Sequence, residues 1–223
     1  MGSRGIKGVV VFVALLLVAF PAHAFTLQEV LKEMKRAQEV TFDMSARLAQ
    51  EKILKGSVNP IIMKGKIKLK KPDKLYMETL PPNRTITVLN GTELLVYFPS
   101  EKVAQKFDLS KDPTLAKWLR FLQDPVSEIE RAGVLEGEKE GKVILRLDPS
   151  GEFDFFKSIR LWVDIRVWLP VQIELVEKNG DITITTYTDL VTNTGIGDEE
   201  FEIKLPPDVE VTEAPPPPAP AER

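Results

Sequence analysis

The sequence predicts a mostly β fold of the α+β class: a strongly curved antiparallel sheet of about ten or eleven strands, curling into a barrel or half-barrel and covered by α-helices. Three observations predict it. Apolar residues recur with a period of two through most of residues 41–110 and 134–191. A helical period interrupts that pattern only near residues 25–40 and 112–125. No series of strand–helix–strand units appears, which argues against a parallel sheet.

The chain opens with Arg4 and Lys7, an apolar stretch over residues 9–20, and the small-x-small sequence Ala22-His23-Ala24. That pattern predicts a secretory signal peptide over residues 1–24 cleaved after Ala24, since a membrane span needs roughly 20 apolar residues. The folded domain is then expected over residues 25–211. "FTLQEVLKEMKRAQEV" (25–40) places Leu27, Val30, Leu31, Met34 and Ala37 on one helical stripe, and Thr26-x-x-Glu29 has the spacing of a capping box.

Next come Phe42, Met44, Ala46 and Leu48, alternating with polar residues. In "KGKIKLKKPDKLYME" (64–78), lysines 64, 66, 68 and 70 alternate with Gly65, Ile67 and Leu69; Lys71-Pro72 then turns the chain before Leu75 and Met77. The lysines fit either the solvated side of an edge strand or a surface that meets an anionic partner. "RTITVLNGTELLVYFP" (84–99) holds Asn90-Gly91 between two β-rich runs, a hairpin signal, and "VAQKFDL" adds one more strand.

In "DPTLAKWLRFLQDP" (112–125), Pro113 suits a first helical turn, and Leu115, Trp118, Leu119 and Leu122 share a face. "VSEIER" extends it by another turn. Strands follow over residues 134–138 and 142–149, with a turn at Glu140-Gly141, and then through residues 157–191, with a second hairpin at Asn179-Gly180. "EFEIKLP" reads as a last short strand, and residues 212–223 as a proline-rich disordered tail.

Composition narrows the chemistry. The chain has no cysteine, and its one histidine, His23, leaves with the leader. The processed chain therefore lacks a Ser-His-Asp triad, a thiolate nucleophile and the usual metal ligands. No glycine-rich phosphate loop or calcium loop is present. The expectation is a non-enzyme without catalytic residues, metal or cofactor. Removing Arg4 and Lys7 from 30 basic residues leaves 28 against 33 acidic ones, a net charge of −5. That balance argues against nucleic acid as a partner.

The ordered segments over about residues 25–211 resemble the LolA family, periplasmic carriers of outer-membrane lipoproteins. Leu48-Ala49-Gln50 stands at a Phe-x-Gln position, and "GKIKLKKPDKLYME" is similar to the family's basic-Pro strand corner. Asn90-Gly91, Leu94 or Leu95, Tyr97 and Pro99 follow its hairpin pattern; "FEIKLPPDVEV" resembles its ending, with Asp208 where glycine is usual.

The resemblance implies an unclosed antiparallel β-barrel covered by α-helices, with a hydrophobic cavity between sheet and helical lid, and a monomeric carrier or chaperone that binds the acyl chains of lipid-modified proteins. Its partners would be an inner-membrane lipoprotein-releasing ABC transporter and an outer-membrane acceptor. The cavity is assigned to Phe42, Met44, Leu48, Ile67, Leu69, Leu75, Met77, Val88, Leu94, Val96, Leu161 and Val163. The lid is assigned to Leu31, Met34, Leu115, Trp118, Leu119 and Leu122. Family members carry an arginine before the corner proline that helps hold the lid shut; Lys71 stands there and is the latch candidate, with the charge but without the planar fork. Two alternatives share the fold: a periplasmic phospholipid or glycolipid binder, and an envelope-stress regulatory binding protein.

Overall fold

The computed structural model describes residues 25–111, 113–149 and 155–213, with the backbone alone of residues 113–115 and 118. The expected leader lies outside the described residues, as does the tail from residue 214 onward.

Helix α1 (Leu27–Val40) starts as its capping box requires. The Thr26 backbone N–H donates to Glu29 Oε2 at 2.8 Å, and the Glu29 N–H donates back to Thr26 Oγ1 at 3.3 Å. A meander follows: β1 (Asp43–Ile53), β2 (Ile61–Lys70), β3 (Lys74–Thr79), β4 (Ile86–Asn90), β5 (Glu93–Phe98) and β6 (Val103–Asp108). Two helices, α2 (Pro113–Gln123) and α3 (Val126–Ala132), carry the chain to the far edge. There a second meander runs back through β7 (Gly133–Lys139), β8 (Lys142–Leu147), β9 (Phe156–Asp164), β10 (Leu169–Glu177) and β11 (Ile182–Thr192).

All strands join one sheet in the order β12-β6-β5-β4-β3-β2-β1-β11-β10-β9-β8-β7, where β12 is Glu210–Glu213. The two meanders meet where β11 pairs with β1, with Leu48 opposite Tyr187. The edges, β12 and β7, do not pair with each other, so the barrel stays unclosed. The Asn-Gly hairpins form as expected, with Gly91 at φ +64° and Gly180 at φ +96°.

The carboxyl-terminal segment departs from expectation. "EFEIKLP" is not a strand: a 3-10 turn over Asp198–Phe201 leads into irregular chain that crosses the convex side of the sheet. The true last strand, β12, lies parallel on β6 and carries the sheet to Glu213, past the expected domain end at residue 211. This strap covers a convex-face core of Ile86, Val88, Tyr97 and Ala104 with Ile203, Leu205 and Val209.

The lysine run explains how the strap is held. Strand β2 lies between β1 and β3, so it is not an edge. Lys68 bonds Glu200, Lys70 reaches Asp198 at 2.6 Å, Lys74 reaches Asp198 at 3.5 Å, and Lys102 reaches Asp208 at 2.6 Å. Much of the run therefore meets the chain's own acids. Glu78 anchors the neighbouring strand: Lys66 and Arg84 approach its oxygens at 2.9 and 2.6 Å, and Tyr76 donates its hydroxyl hydrogen at 2.9 Å.

Burial alone would raise the Glu78 pKa; the bonds from Lys66, Arg84 and Tyr76 outweigh it and hold the carboxyl down to about 2, below its usual 4.5. A depressed carboxylate stabilises the fold above its unfolded pKa and loses that contribution as pH falls through its folded one. Glu78→Gln is therefore expected to lower stability at pH 7 by on the order of 1–2 kcal/mol, allowing for screening of its half-exposed cations. The deficit should shrink as pH falls from about 4.5 to 2. Urea unfolding of both proteins across that window measures it.

Candidate functional site: the covered concave face and its mouth

Side chains of alternate strand residues line a concave face made of two apolar basins. One lies on β8, β9 and β10, where Val143, Leu145, Ile159, Leu161, Val163 and Ile173 are buried beneath Val30 and Met34 of α1, Phe121 of α2, and Val126 and Ile129 of α3. The other lies on β1 to β5, with Ala46, Leu48, Ile67, Leu75, Leu89 and Leu94 beneath Leu109, Ala116 and Leu119. Tyr187 packs against both, at the seam between the meanders. Burial pushes its phenol up to about 12, so it stays neutral at any physiological pH.

Helix α2 spans the seam as well: Leu119 packs on the first meander, and Phe121 and Leu122 on the second. The cover over both basins is helical, and polar contacts tie it to the sheet at the end of α1. At the end of α1, Asn193 donates through Nδ2 to the Val40 carbonyl and accepts the Phe42 N–H, each at 2.8 Å. Asp43 accepts N–H bonds from Thr194 at 2.9 Å and Gly195 at 3.0 Å. Burial raises the Asp43 pKa, but these bonds prevail and lower it below the usual range. The last turn of α1 has no basic residue of its own. Lys71, in the turn between β2 and β3, fills that role: its Nζ donates to the Gln38 carbonyl, where a cation complements the helix dipole.

Beside this contact the cover is incomplete. A cavity of about 530 Å³ opens between the end of α1, the start of β1, the β2–β3 turn and the α2–α3 junction. Met44, Leu69, Phe121 and Leu169 give it an apolar floor; Lys70, Lys71, Lys117 and Arg120 stand around it with Asp124 and Glu128. That volume falls within the range of small-ligand pockets. A second hollow, of about 740 Å³, lies where the strap leaves β4 to β6 and is bordered by charged Glu93, Lys106, Asp108 and Lys111.

The expected cavity residues divide accordingly. Leu48, Ile67, Leu75 and Leu94 are buried in the first basin, with Leu69, Met77 and Val96 at its margin. Leu161 and Val163 are buried in the second. Met44 and Phe42 line the mouth, where Phe42 is 65 % exposed. Val88 is a correction. It pairs with Tyr76 and Leu95 on the convex side and is buried under the strap, so it cannot line the concave interior.

Of the expected lid, Met34, Leu31 and Leu122 pack on the second basin and Leu119 on the first. The side chains of Leu115 and Trp118 lie outside the described residues. Tyr187, Phe121 and Asn193 are additions to the expected set. For Asn193 the sequence holds no signal beyond an asparagine after a strand, a residue that tolerates its left-handed φ of +57°.

The family model described as outer membrane lipoprotein carrier protein LolA matches residues 41–204. The outer-membrane lipoprotein carrier protein of Pseudomonas putida KT2440 is 25% identical over 150 residues, covering 66% of this chain and 70% of that protein. Its counterpart from Pseudomonas entomophila L48 is 25% identical over 181 residues, covering 79% of each. Among solved structures, an uncharacterized conserved protein from Thermus thermophilus superposes with a TM-score of 0.57 at 13% identity, over 84% of this chain and 98% of that one. At that identity the likeness is one of fold.

Burial separates floor from rim energetically. Leu161→Ala removes a side chain that is 1 % exposed and should cost about 2–5 kcal/mol, whereas Phe42→Ala at the mouth should stay within about 0.5 kcal/mol. Denaturant midpoints of the two variants, compared at equal m-value, measure the contrast.

Proposed function

The chain belongs to the LolA family, and from that premise we propose that it is a periplasmic carrier that shelters the acyl chains of lipoproteins between its concave sheet and its helices. It takes them from a lipoprotein-releasing ABC transporter at the inner membrane and passes them to an acceptor at the outer membrane. The observation that carries this reading is the apolar concave face, covered by helices and open at a mouth of about 530 Å³. Burying one CH₂ is worth about 0.8 kcal/mol, so three acyl chains amount to tens of kcal/mol and cannot cross water uncovered. A helical cover supplies apolar contact to the empty protein and yields the same surface to cargo. No catalytic residue enters this scheme.

In this reading Leu48, Ile67, Leu69, Leu75, Met77, Leu94, Val96, Leu161 and Val163 form the interior, and Phe42 and Met44 receive cargo at the mouth. Leu31, Met34, Leu119 and Leu122 belong to the lid, as do Leu115 and Trp118 by their place on α2. Lys71 latches the lid through the carbonyl of Gln38. A lysine offers one flexible ammonium where an arginine offers a fork, so this latch is weaker.

The cations Lys70, Lys71, Lys117 and Arg120 at the mouth favour a second reading, a carrier of lipids with anionic headgroups. Added to energised inner-membrane vesicles, the purified chain should release a membrane-bound lipoprotein into solution. An anionic-lipid carrier would instead copurify with phospholipid and release nothing.

Leu75→Glu and Met77→Glu should each abolish release; undiminished release by both variants, each checked as folded by circular dichroism, would reject the interior assignment. Lys71→Ala should weaken the α1 attachment by about 0.5–1 kcal/mol. Amide exchange of α1 would then quicken a few-fold, with exchange in β8 and β9 unchanged.

A further inference from the structure

The hairpin between β1 and β2 is built unlike the rest of the sheet. Strand β3 pairs with β2 only from Gly65 to Lys70, so residues 61–64 extend past it and the connection over residues 54–60 projects from one end of the sheet. Here the alternation stops. Ile61 and Ile62 are consecutive, point to opposite faces, and are 49 % and 57 % exposed. Val58, at the tip, is 94 % exposed. Leu54, and Leu80 in the adjoining loop, are also exposed, and Leu80 is tied to this strand through its N–H to the Lys64 carbonyl at 2.7 Å.

The tip is held in a defined shape. The Ser57 N–H donates to the Leu54 carbonyl at 2.9 Å, and the Ser57 hydroxyl donates to the Asn59 carbonyl at 3.0 Å. Gly56 takes the left-handed turn at φ +84°. The Lys55 N–H donates to Asp181 Oδ1 at 2.8 Å, and the Lys55 stem lies close over Gly180, fastening the hairpin to the β10–β11 turn. These bonds leave Val58 turned to water.

Charge distinguishes this hairpin from the chain as a whole. Residues 51–64 hold Lys52, Lys55 and Lys64 against Glu51, a net +2 on a chain of net −3. Lys52 pairs with Glu177 at 3.3 Å, while Lys55 and Lys64 form no ion pair among the described residues. A convex tip apolar on both faces, flanked by available cations and free of the aromatic and arginine anchors that dominate protein interfaces, suits the boundary of an anionic bilayer.

We propose that the tip of the β1–β2 hairpin is a membrane-docking wedge, which seats Val58, Ile61 and Ile62 among the acyl chains of an anionic phospholipid surface while Lys55 and Lys64 meet its headgroups. Strand β1 separates this wedge from the mouth at Met44 by about 30 Å, at roughly 3.3 Å per residue. Membrane contact and cavity loading can therefore be perturbed separately, and the wedge stands whatever the cavity carries.

The test uses the chain from Phe25 to Arg223 with sedimenting vesicles of phosphatidylcholine alone or with one third phosphatidylglycerol. The chain should partition onto the phosphatidylglycerol vesicles, and V58D/I62D should reduce that partition at least tenfold. K55E/K64E should remove the preference for phosphatidylglycerol, as should high salt for the unaltered protein. All these side chains are exposed, so the variants should unfold at the wild-type urea midpoint. Because the chain has no cysteine, V58C can carry an environment-sensitive dye whose emission should shift to the blue on these vesicles, while the dye at T92C, at the opposite end of the sheet, should not respond. Absence of partition, or equal partition by V58D/I62D, would overturn the proposal. So would a crosslinker on V58C that captures a protein while vesicles leave the dye unchanged.

Discussion

A curved sheet with an apolar concave side must keep that side dry, and in this chain the sheet does not do so alone. Strands β7 and β12 end the sheet without meeting, so no opposing strands complete the enclosure. Three helices complete it instead, with Val30, Met34, Phe121 and Ile129 at 2 % exposure or less over the second meander. A cover of this kind differs from a packed barrel interior. Its apolar contacts stabilise the folded chain, while a few polar bonds tie the end of α1 to the sheet and none of them belongs to the strand ladder. Tight closure and ready opening oppose each other, and in the proposed carrier the bonds from Lys71 and Asn193 to the end of α1 stand where that balance would be set.

The convex side is held by different physics. The strap adds a parallel strand, ion pairs from Lys68, Lys70, Lys74 and Lys102, and its own apolar core at Ile203, Leu205 and Val209. Exposed ion pairs contribute little singly, so the buried apolar contacts and the β12 ladder carry most of the attachment. Strand β4 is consequently buried on both faces, with Ile86 and Val88 under the strap and Leu89 over the concave basin. One side of the sheet is thus braced by strand pairing, ion pairs and apolar contacts, while the other is covered by helices held mainly through apolar contacts.

Local chemistry makes much of this legible in the sequence. The Thr26–Glu29 box starts α1, the alternating residues of β1, β2 and β3 face as their period demands, and Asn-Gly pairs turn both expected hairpins. What escapes is set by partners distant in the chain. Glu210–Glu213 is only four residues long, and it becomes a strand because β6 offers an unpaired edge. Val88 lies opposite to its expected side because a strand apolar on both faces does not reveal which of them is concave. The lysine run suggests an edge or an anionic partner, and only the folded chain brings Asp198 and Glu200 to it. Lys71 stands out by resemblance, yet its acceptor, the Gln38 carbonyl, belongs to backbone and leaves no mark in composition.

In the proposed carrier the helices part from the concave face to admit acyl chains. Hydrogen exchange of the chain with and without a water-dispersed triacylated lipopeptide reads that parting. Amides of α1 and α2 should lose protection when the lipopeptide binds, while those of β8 to β11 keep or gain it. Stoichiometric binding with helix protection unchanged would contradict it, as would failure of the folded protein to bind at all.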